Sequence, residues 1–273
     1  MMPRTILVHV DDTDAWRTRL DIARSILGDH AGSGFVLGIY GVVDHTERHP
    51  YTRQVSSDFL AKVDAAEAPF RAACEERGLA CGWHGIHGAD ATLIGVQLAA
   101  NLQTTDVGLI SQPRQQDAGH TITNEVIEQV AVSGGRPVLV LPYITKSFSM
   151  PKRAVVALNE DAASARALAD VLPFLGQCEM VTLLAVSRDP VAQQWRWEAH
   201  RDMLARHGIK AQIEHEAPTD IPVSELILSR AADLAADVLA MGAHGAYDTP
   251  RLRRGGVTKS ILPGLTLPMI LSR

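Results

Sequence analysis

Aromatic residues make up only 5% of this 273-residue chain, so its core has to be filled mainly by Ala, Leu, Val and Ile. Cysteine is scarcer still. Cys74, Cys81 and Cys178 are odd in number and lack the paired spacing of a structural metal site, which points to unpaired thiols in a reducing compartment and not to a disulfide scaffold. No apolar run approaches the ~18–20 residues of a membrane helix. The longest, around Pro137–Pro142, suits a buried strand. The opening Met-Met-Pro-Arg-Thr has neither the apolar stretch nor the small-residue cleavage site of a secretion signal. A basic excess is also missing: 26 Lys and Arg against 31 Asp and Glu leave a net charge of −5, with no general attraction to nucleic acid or an anionic membrane. What remains, 46% apolar and 21% charged residues, is the composition of a folded globular chain. The expectation is a soluble cytoplasmic protein with no membrane or nucleic-acid partner, and a length of two domains at roughly 100–200 residues each.

An internal repeat supports the count of two. Pro3–Asp11 and Pro151–Asn159 share a basic start, a short apolar run and a polar end, at an offset of 148 residues. Near the end of each half, Asp106–Ile110 aligns with Asp237–Met241 and Pro137–Leu141 with Pro268–Ser272, both at an offset of 131. The second half is shorter in between, and the polar stretch Asp44–Asp58 of the first half accounts for most of the difference.

Each half reads as strands alternating with helices. In the first, strands are predicted near Thr5–Val10, Phe35–Val42, Ala80–Gly85, Val107–Ile110 and Val138–Leu141, with helices over Ala15–Leu27, Asp58–Arg77, Ala89–Leu102 and Ile122–Val132. In the second, strands are predicted near Arg153–Leu158, Met180–Val186, Lys210–His215, Val238–Met241 and Met269–Leu271, with helices near Ala162–Leu175, Val191–His207, Pro222–Ala235 and Gly256–Gly264. Continuously apolar strands alternating with helices imply a parallel sheet covered on both faces. The fold class is therefore α/β, two doubly wound five-stranded parallel-sheet domains in tandem. Their bounds are 1–142 and 151–273, with a linker over 143–150.

In such sheets ligands bind beyond the carboxyl ends of the strands where strand order reverses. After the fourth strand of the second half the chain reads Gly242-x2-Gly245-x9-Gly255, then Gly256-Val257-Thr258 leading into a helix. Glycines let a backbone turn tightly and approach a ligand, and a helix entry presents N–H groups to an anion. Arg251, Arg253, Arg254 and Lys259 add cationic charge nearby. A long glycine-containing connector with a solvated basic rim is the structural alternative.

This loop, together with the preceding Asp-Val-Leu-Ala-Met strand and the closing Leu-Pro-Met-Ile-Leu, resembles the C-terminal half of a universal stress protein domain. The duplicated layout resembles the tandem universal stress proteins of bacteria. The resemblance implies the adenine nucleotide alpha hydrolase-like fold and an adenine nucleotide, ATP with ADP or AMP as alternatives, held between the first strand and the glycine loop. By that resemblance the binding residues are Leu158, Asn159, Gly242, Gly245, Gly255, Gly256, Val257 and Thr258. Gly242 and Gly245 would make room for ribose and phosphates, and Gly255 to Thr258 would cradle phosphate.

Two positions depart from the family pattern. Gly256 stands where a hydroxyl residue follows the third glycine, and Asn159 where an acidic residue ends the first strand, leaving a poor Mg²⁺ ligand. Asp161 is close enough to substitute, but reads better as a helix cap. In the first half the four glycines align with Ser111, Arg114, Asn124 and Glu125. That domain, which keeps Asp11 and Asp12, reads as degenerate for nucleotide.

Other candidates are set aside. Gly256-Val-Thr-Lys-Ser has the letters of a P-loop without its spacing. Strand alternation puts His84 and Cys81 on opposite faces, which argues against a metal site there. His244 reads as an exposed loop histidine. Trp16, Trp195 and Trp197 read as packing residues on helices, the last two at an interface. No Ser or Cys nucleophile has a recognisable partner. The expected function is a non-enzymatic stress-response accessory protein, with at most weak ATP hydrolysis, no metal site and an unidentified protein partner. The alternative is a non-nucleotide interaction scaffold. The resemblance also implies a pseudo-dimer within the chain, its last strands Val138–Leu141 and Met269–Leu271 pairing edge to edge, with a homodimer as a further option.

Overall fold

The computed structural model describes residues 2–43, 57–88, 90–117, 119–159, 161–243 and 256–273. They divide into two compact units, 2–149 and 150–273. In the first, strands β1 (Thr5–Val10), β2 (Phe35–Val43), β3 (Ala80–Gly88), β4 (Val107–Ser111) and β5 (Val138–Leu141) alternate with helices α1 (Ala15–Leu27), α2 (Ser57–Glu76), α3 (Ala91–Leu102) and α4 (Asn124–Ser133). The second holds strands β6 (Arg153–Leu158), β7 (Met180–Val186), β8 (Ala211–Glu216), β9 (Val238–Gly242) and β10 (Met269–Ser272). Its helices are α5 (Ala162–Leu175), α6 (Pro190–Arg206), α7 (Val223–Asp233) and α8 (Val257–Ile261).

The strand orders are β3-β2-β1-β4-β5 and β10-β9-β6-β7-β8, and the pairings described within each unit are parallel. Each unit is thus a doubly wound α/β domain of five parallel strands. Strand order reverses between β1 and β4, and between β6 and β9. Strands β1, β4 and β5 of the first unit and β6, β9 and β10 of the second are buried over almost their whole length, which is why they read as unbroken apolar runs and not as alternation. Among the described residues no helix is long and apolar enough to cross a membrane.

The two units repeat one another at the level of single hydrogen bonds. Asp106 Oδ2 accepts from the backbone N–H of Arg4 at 2.8 Å and of Thr5 at 2.9 Å. Asp237 Oδ2, 131 positions later, accepts from the N–H of Lys152 and Arg153, both at 2.8 Å. The return bonds match too, Asp106 N–H to Thr5 O and Asp237 N–H to Arg153 O, each 2.8 Å. This aspartate clasp joins the entry of the first strand to the entry of the fourth and so sets their register. Burial works against the charge of Asp106, but the donors at Arg4 and Thr5 hold its carboxyl below the usual carboxylate range.

Differences from the sequence-based element bounds have local causes. β3 continues past Gly85 to Gly88, and a Cβ at Gly85 would lie 2.6 Å from Val63 of α2, so the glycine serves helix-on-strand packing within the strand. The helix predicted over Gly256–Gly264 is α8 followed by a tighter turn at Leu262–Gly264, where Pro263 has no N–H to continue the ladder. Gly78 and Gly208, with φ of +64° and +75°, end α2 and α6 in the left-handed conformation that favours glycine. Trp16 and Trp197 are buried as expected, but Trp195 is exposed. Two residues on a helix point about 200° apart at 3.6 residues per turn, so Trp195 and Trp197 cannot both face the sheet. Trp197 wins that place and stacks on His215 of β8, with ring centroids 5.4 Å apart.

Replacing Asp106 or Asp237 by Ala should destabilise its unit by about 0.5–1.5 kcal/mol, because the exposed backbone donors exchange a charged acceptor for water. Urea unfolding of the two variants checks this, and an unshifted midpoint would show that the clasp is dispensable.

Candidate functional site

The carboxyl ends of β6 and β9 bring part of the predicted site together. Ala157 pairs with Met241, so Leu158 and Gly242 are neighbours at the strand ends. Gly242 also pairs with Ser272 of β10. Gly256 caps α8, Val257 opens it, and Thr258 is fully buried in its first turn. Gly245, Gly255, His244 and the arginines of the loop lie outside the described residues.

Asn159 and Asp161 are committed to the start of α5. Asn159 N–H donates to Ser164 Oγ at 2.9 Å, its Nδ2 donates to Asp161 Oδ2 at 2.7 Å, and Asp161 Oδ1 accepts from Ser164 N–H at 2.8 Å. Asp161 is therefore the N-cap of α5, as its position in the sequence suggested. Gly242 has an equally local reason to be glycine. A Cβ there would lie 2.7 Å from Ala163 C and Ser164 N. The first turn of α5 presses on the end of β9, and no side chain fits between them.

The corresponding point of the first unit carries a feature that the sequence reading passed over. His9 on β1 and Arg19 on α1 are completely buried, and Asp11 just beyond β1 nearly so. Arg19 Nε donates to His9 O at 2.7 Å, and its Nη2 to Asp11 Oδ2 at 3.1 Å. Asp11 Oδ2 also accepts from Thr121 Oγ1 at 2.7 Å, and Oδ1 from Thr13 N–H at 3.1 Å and Thr13 Oγ1 at 2.5 Å. Both carboxylate oxygens are thus occupied by the protein's own donors. Burial alone would raise the Asp11 carboxyl, but the Arg19 guanidinium and the threonine hydroxyls hold it below the usual range. A buried pair of this kind is tolerated because its charges are matched and hydrogen-bonded.

His9 completes the cluster. Its Nε2 lies 2.7 Å from Gly41 O, a contact that requires the proton on Nε2. Nδ1 then faces Asp11 Oδ2 at 3.7 Å and has no hydrogen-bond partner. Burial pushes the imidazole down to about 4, outweighing the nearby Asp11, so His9 is neutral near pH 7. In the second unit the equivalents of His9, Asp11 and Arg19, at the offset of 148, are Ala157, Asn159 and Ala167. All three members have been exchanged together, as physics requires: removing one partner alone would strand a buried charge. The signal was present in the sequence. A histidine inside the apolar run of β1, and an arginine among Leu20, Ile22 and Ala23 of α1, both break a buried face.

Above this cluster, at the ends of β1 and β4, lies a cleft of about 580 Å³. Asp11, Thr13, Ser111, Arg114, Thr121 and Tyr143 are among its walls. Arg114 Nη2 donates to Tyr143 O at 2.9 Å, and its guanidinium sits 5.3 Å from the centre of the Tyr143 ring. Tyr143–Lys146, which the sequence placed in the linker, line this cleft. Asp12, adjacent to Asp11, accepts from Tyr40 Oη and from Lys62 Nζ, the latter at 2.9 Å. Both carboxylates that end β1 are therefore engaged by protein groups. Among the described residues no group of three or more His, Cys, Asp or Glu could hold a metal ion.

No family model matches the chain, and no curated protein matches it. Solved structures do. A universal stress protein from Archaeoglobus fulgidus DSM 4304 superposes with a TM-score of 0.72 at 14% identity, covering 98% of this chain and 96% of that one. A candidate universal stress protein from Pseudomonas aeruginosa UCBPP-PA14 gives 0.61 at 15% identity, over 99% of this chain and 93% of that one. A protein of unknown function from P. aeruginosa PAO1 gives 0.60 at 15% identity, over 99% and 92%. The chain has the fold of these proteins along nearly its full length.

Two predictions follow from the geometry. Gly242→Ala should cost about 1–3 kcal/mol of stability, since its methyl group meets backbone and not a movable side chain; unchanged thermal unfolding would contradict the close approach. The second concerns pH. The folded state holds His9 at about 4, below its ordinary 6.5, so the unfolded chain takes up that proton first. Stability should be full above pH 6.5 and fall by up to about 3 kcal/mol as pH drops towards 4. Further acidification then titrates Asp11. His9→Gln, which keeps a donor for Gly41 O, should flatten the unfolding midpoint across that window relative to wild type.

Proposed function

We propose that this chain is a tandem universal stress protein, a cytoplasmic accessory protein whose second unit binds an adenine nucleotide, ATP in the first instance. The observation that carries the proposal is the glycine-bounded connector 242–256 at the strand-order reversal of a unit with this fold. The full-length likeness to the archaeal universal stress protein supports it. Leu158 and Gly242 would border the nucleotide from the strand ends. Gly245, Gly255, Gly256, Val257 and Thr258 would surround its phosphates with backbone N–H groups and a hydroxyl, a mode of anion binding that needs no cationic side chain. Asn159 would offer an amide to a sugar hydroxyl and little to Mg²⁺. The role is binding and response, not turnover.

In the first unit the acidic end of β1 is already bonded to Arg19, Thr13 and Thr121, which supports its reading as a structural domain without a nucleotide. A second reading has its own support. Asn159 and Gly242 have complete structural explanations at the start of α5, as they would in an interaction scaffold that binds no nucleotide.

Denaturing the purified protein and identifying what it releases, followed by calorimetric titration with ATP, ADP and AMP, separates the two. The first reading expects one nucleotide site per chain, abolished by Gly255→Glu through lost backbone approach and added negative charge. Binding that survives Gly255→Glu would place the site elsewhere, and no binding by wild type would favour the scaffold.

A further inference from the structure

We propose that Cys81 and Cys74 form a peroxide-responsive dithiol that closes to a reversible disulfide between β3 and the last turn of α2. The placement follows from packing. Phe70 of α2 meets Trp83 of β3 with ring centroids 5.2 Å apart. Cys74 stands four residues beyond Phe70, one turn further along the same helix face, about 6 Å at 1.5 Å per residue. Cys81 stands two residues before Trp83, so it shares that side chain's face of the strand and lies about 6.6 Å away along it. Helix and strand run in opposite directions, and the two steps converge. The left-handed Gly78 and the bond from Leu79 N–H to Cys74 O at 2.9 Å make the turn tight. The two thiols interact with each other, and the Arg71 guanidinium interacts with Cys81.

The thiols are unequal in the way such a pair needs. Cys74 is buried and Cys81 half-buried. Burial, reinforced by the neighbouring Cys81 thiol, pushes the Cys74 thiol up, so Cys74 stays protonated. Cys81 is the more accessible of the two to a hydroperoxide, and Arg71 stands beside it. Glu67 accepts from Arg71 Nε at 2.6 Å and orients it. Cys81 is the attacking sulfur and Cys74 the resolving one.

The oxidant is a hydroperoxide. The Cys81 thiolate attacks the distal peroxide oxygen: an S–O bond forms, the O–O bond breaks, and an alcohol, or water from hydrogen peroxide, leaves with a solvent proton. The resulting sulfenic acid on Cys81 is attacked by the Cys74 sulfur. The S–S bond forms, the S–O bond breaks, and hydroxide leaves as water with the Cys74 proton. Two thiols are oxidised by two electrons, and one peroxide is reduced to alcohol and water. The disulfide closes an eight-residue loop from Cys74 to Cys81 and pins α2 to β3, an end strand of the first unit.

The test uses the full-length reduced protein, modest excesses of hydrogen peroxide, alkylation of the remaining thiols and peptide mass mapping. The expected product has lost two hydrogens, carries one alkyl group at Cys178, and is restored by dithiothreitol. Cys178 is the internal control, because burial raises its thiol to about 11 and it has no partner cysteine. Cys74→Ser should stop at a sulfenic acid on Cys81 that dimedone captures, Cys81→Ser should leave Cys74 unmodified, and Arg71→Gln should slow cross-linking severalfold. Oxidation of Cys178 as fast as Cys81, overoxidation of Cys81 with Cys74 still free, or three alkylated thiols under all conditions would each overturn the proposal. Circular dichroism of the serine variants, near-isosteric with wild type, verifies that they fold.

Discussion

The parallel pairing of the first strand with the fourth is the constraint on which each unit depends. It places β1 beside β4 and β6 beside β9, and sends the preceding and following connections to opposite sides. That arrangement opens a crevice at the strand ends. One carboxylate at the other end of the pair, Asp106 or Asp237, secures the register by accepting from two consecutive backbone donors. A register slip by one residue would turn every buried side chain of these strands to the opposite face. The clasp therefore supports the core as much as the edge it touches.

From this common frame the two copies have diverged at the crevice. The first fills its floor with a matched buried network of His9, Asp11 and Arg19, tied above by Thr13 and Thr121. The second has Ala157, Asn159 and Ala167 at the equivalent places. There α5 approaches β9 so closely that Gly242 is required. Polar satisfaction organises one crevice and backbone contact the other. The same topology thus carries different chemistry at the two strand-order reversals, engaged polar side chains in the first unit and close backbone packing at Gly242 in the second.

The architecture was legible because both of its signals are local. Apolar runs such as Ile6–Val10 and Val238–Met241 mark strands buried on both faces, and intervening amphipathic stretches mark the helices. The repeat offsets, taken from short strand-like segments, recur in the hydrogen bonds of the two clasps. Site assignment was less legible. Gly242 has the same letter whether it makes room for a ligand or for Ala163, and Asn159 whether it faces a sugar or Asp161. Arg19 stands among apolar residues of α1, a place arginine takes only when paired, but its partners lie eight and ten positions away outside that helix.

By itself, then, the sequence determined two α/β units, their internal symmetry and the connector that distinguishes the second, since periodicity and repetition are properties of neighbours along the chain. Only the tertiary structure decided which polar residues are spent on the fold. It showed Asp11 enclosed by Arg19, Thr13 and Thr121, and Asp161 on the end of α5. Hydrogen bonds and buried charges are settled by which groups meet in space, and those meetings exist only once the strands have paired and the helices have packed.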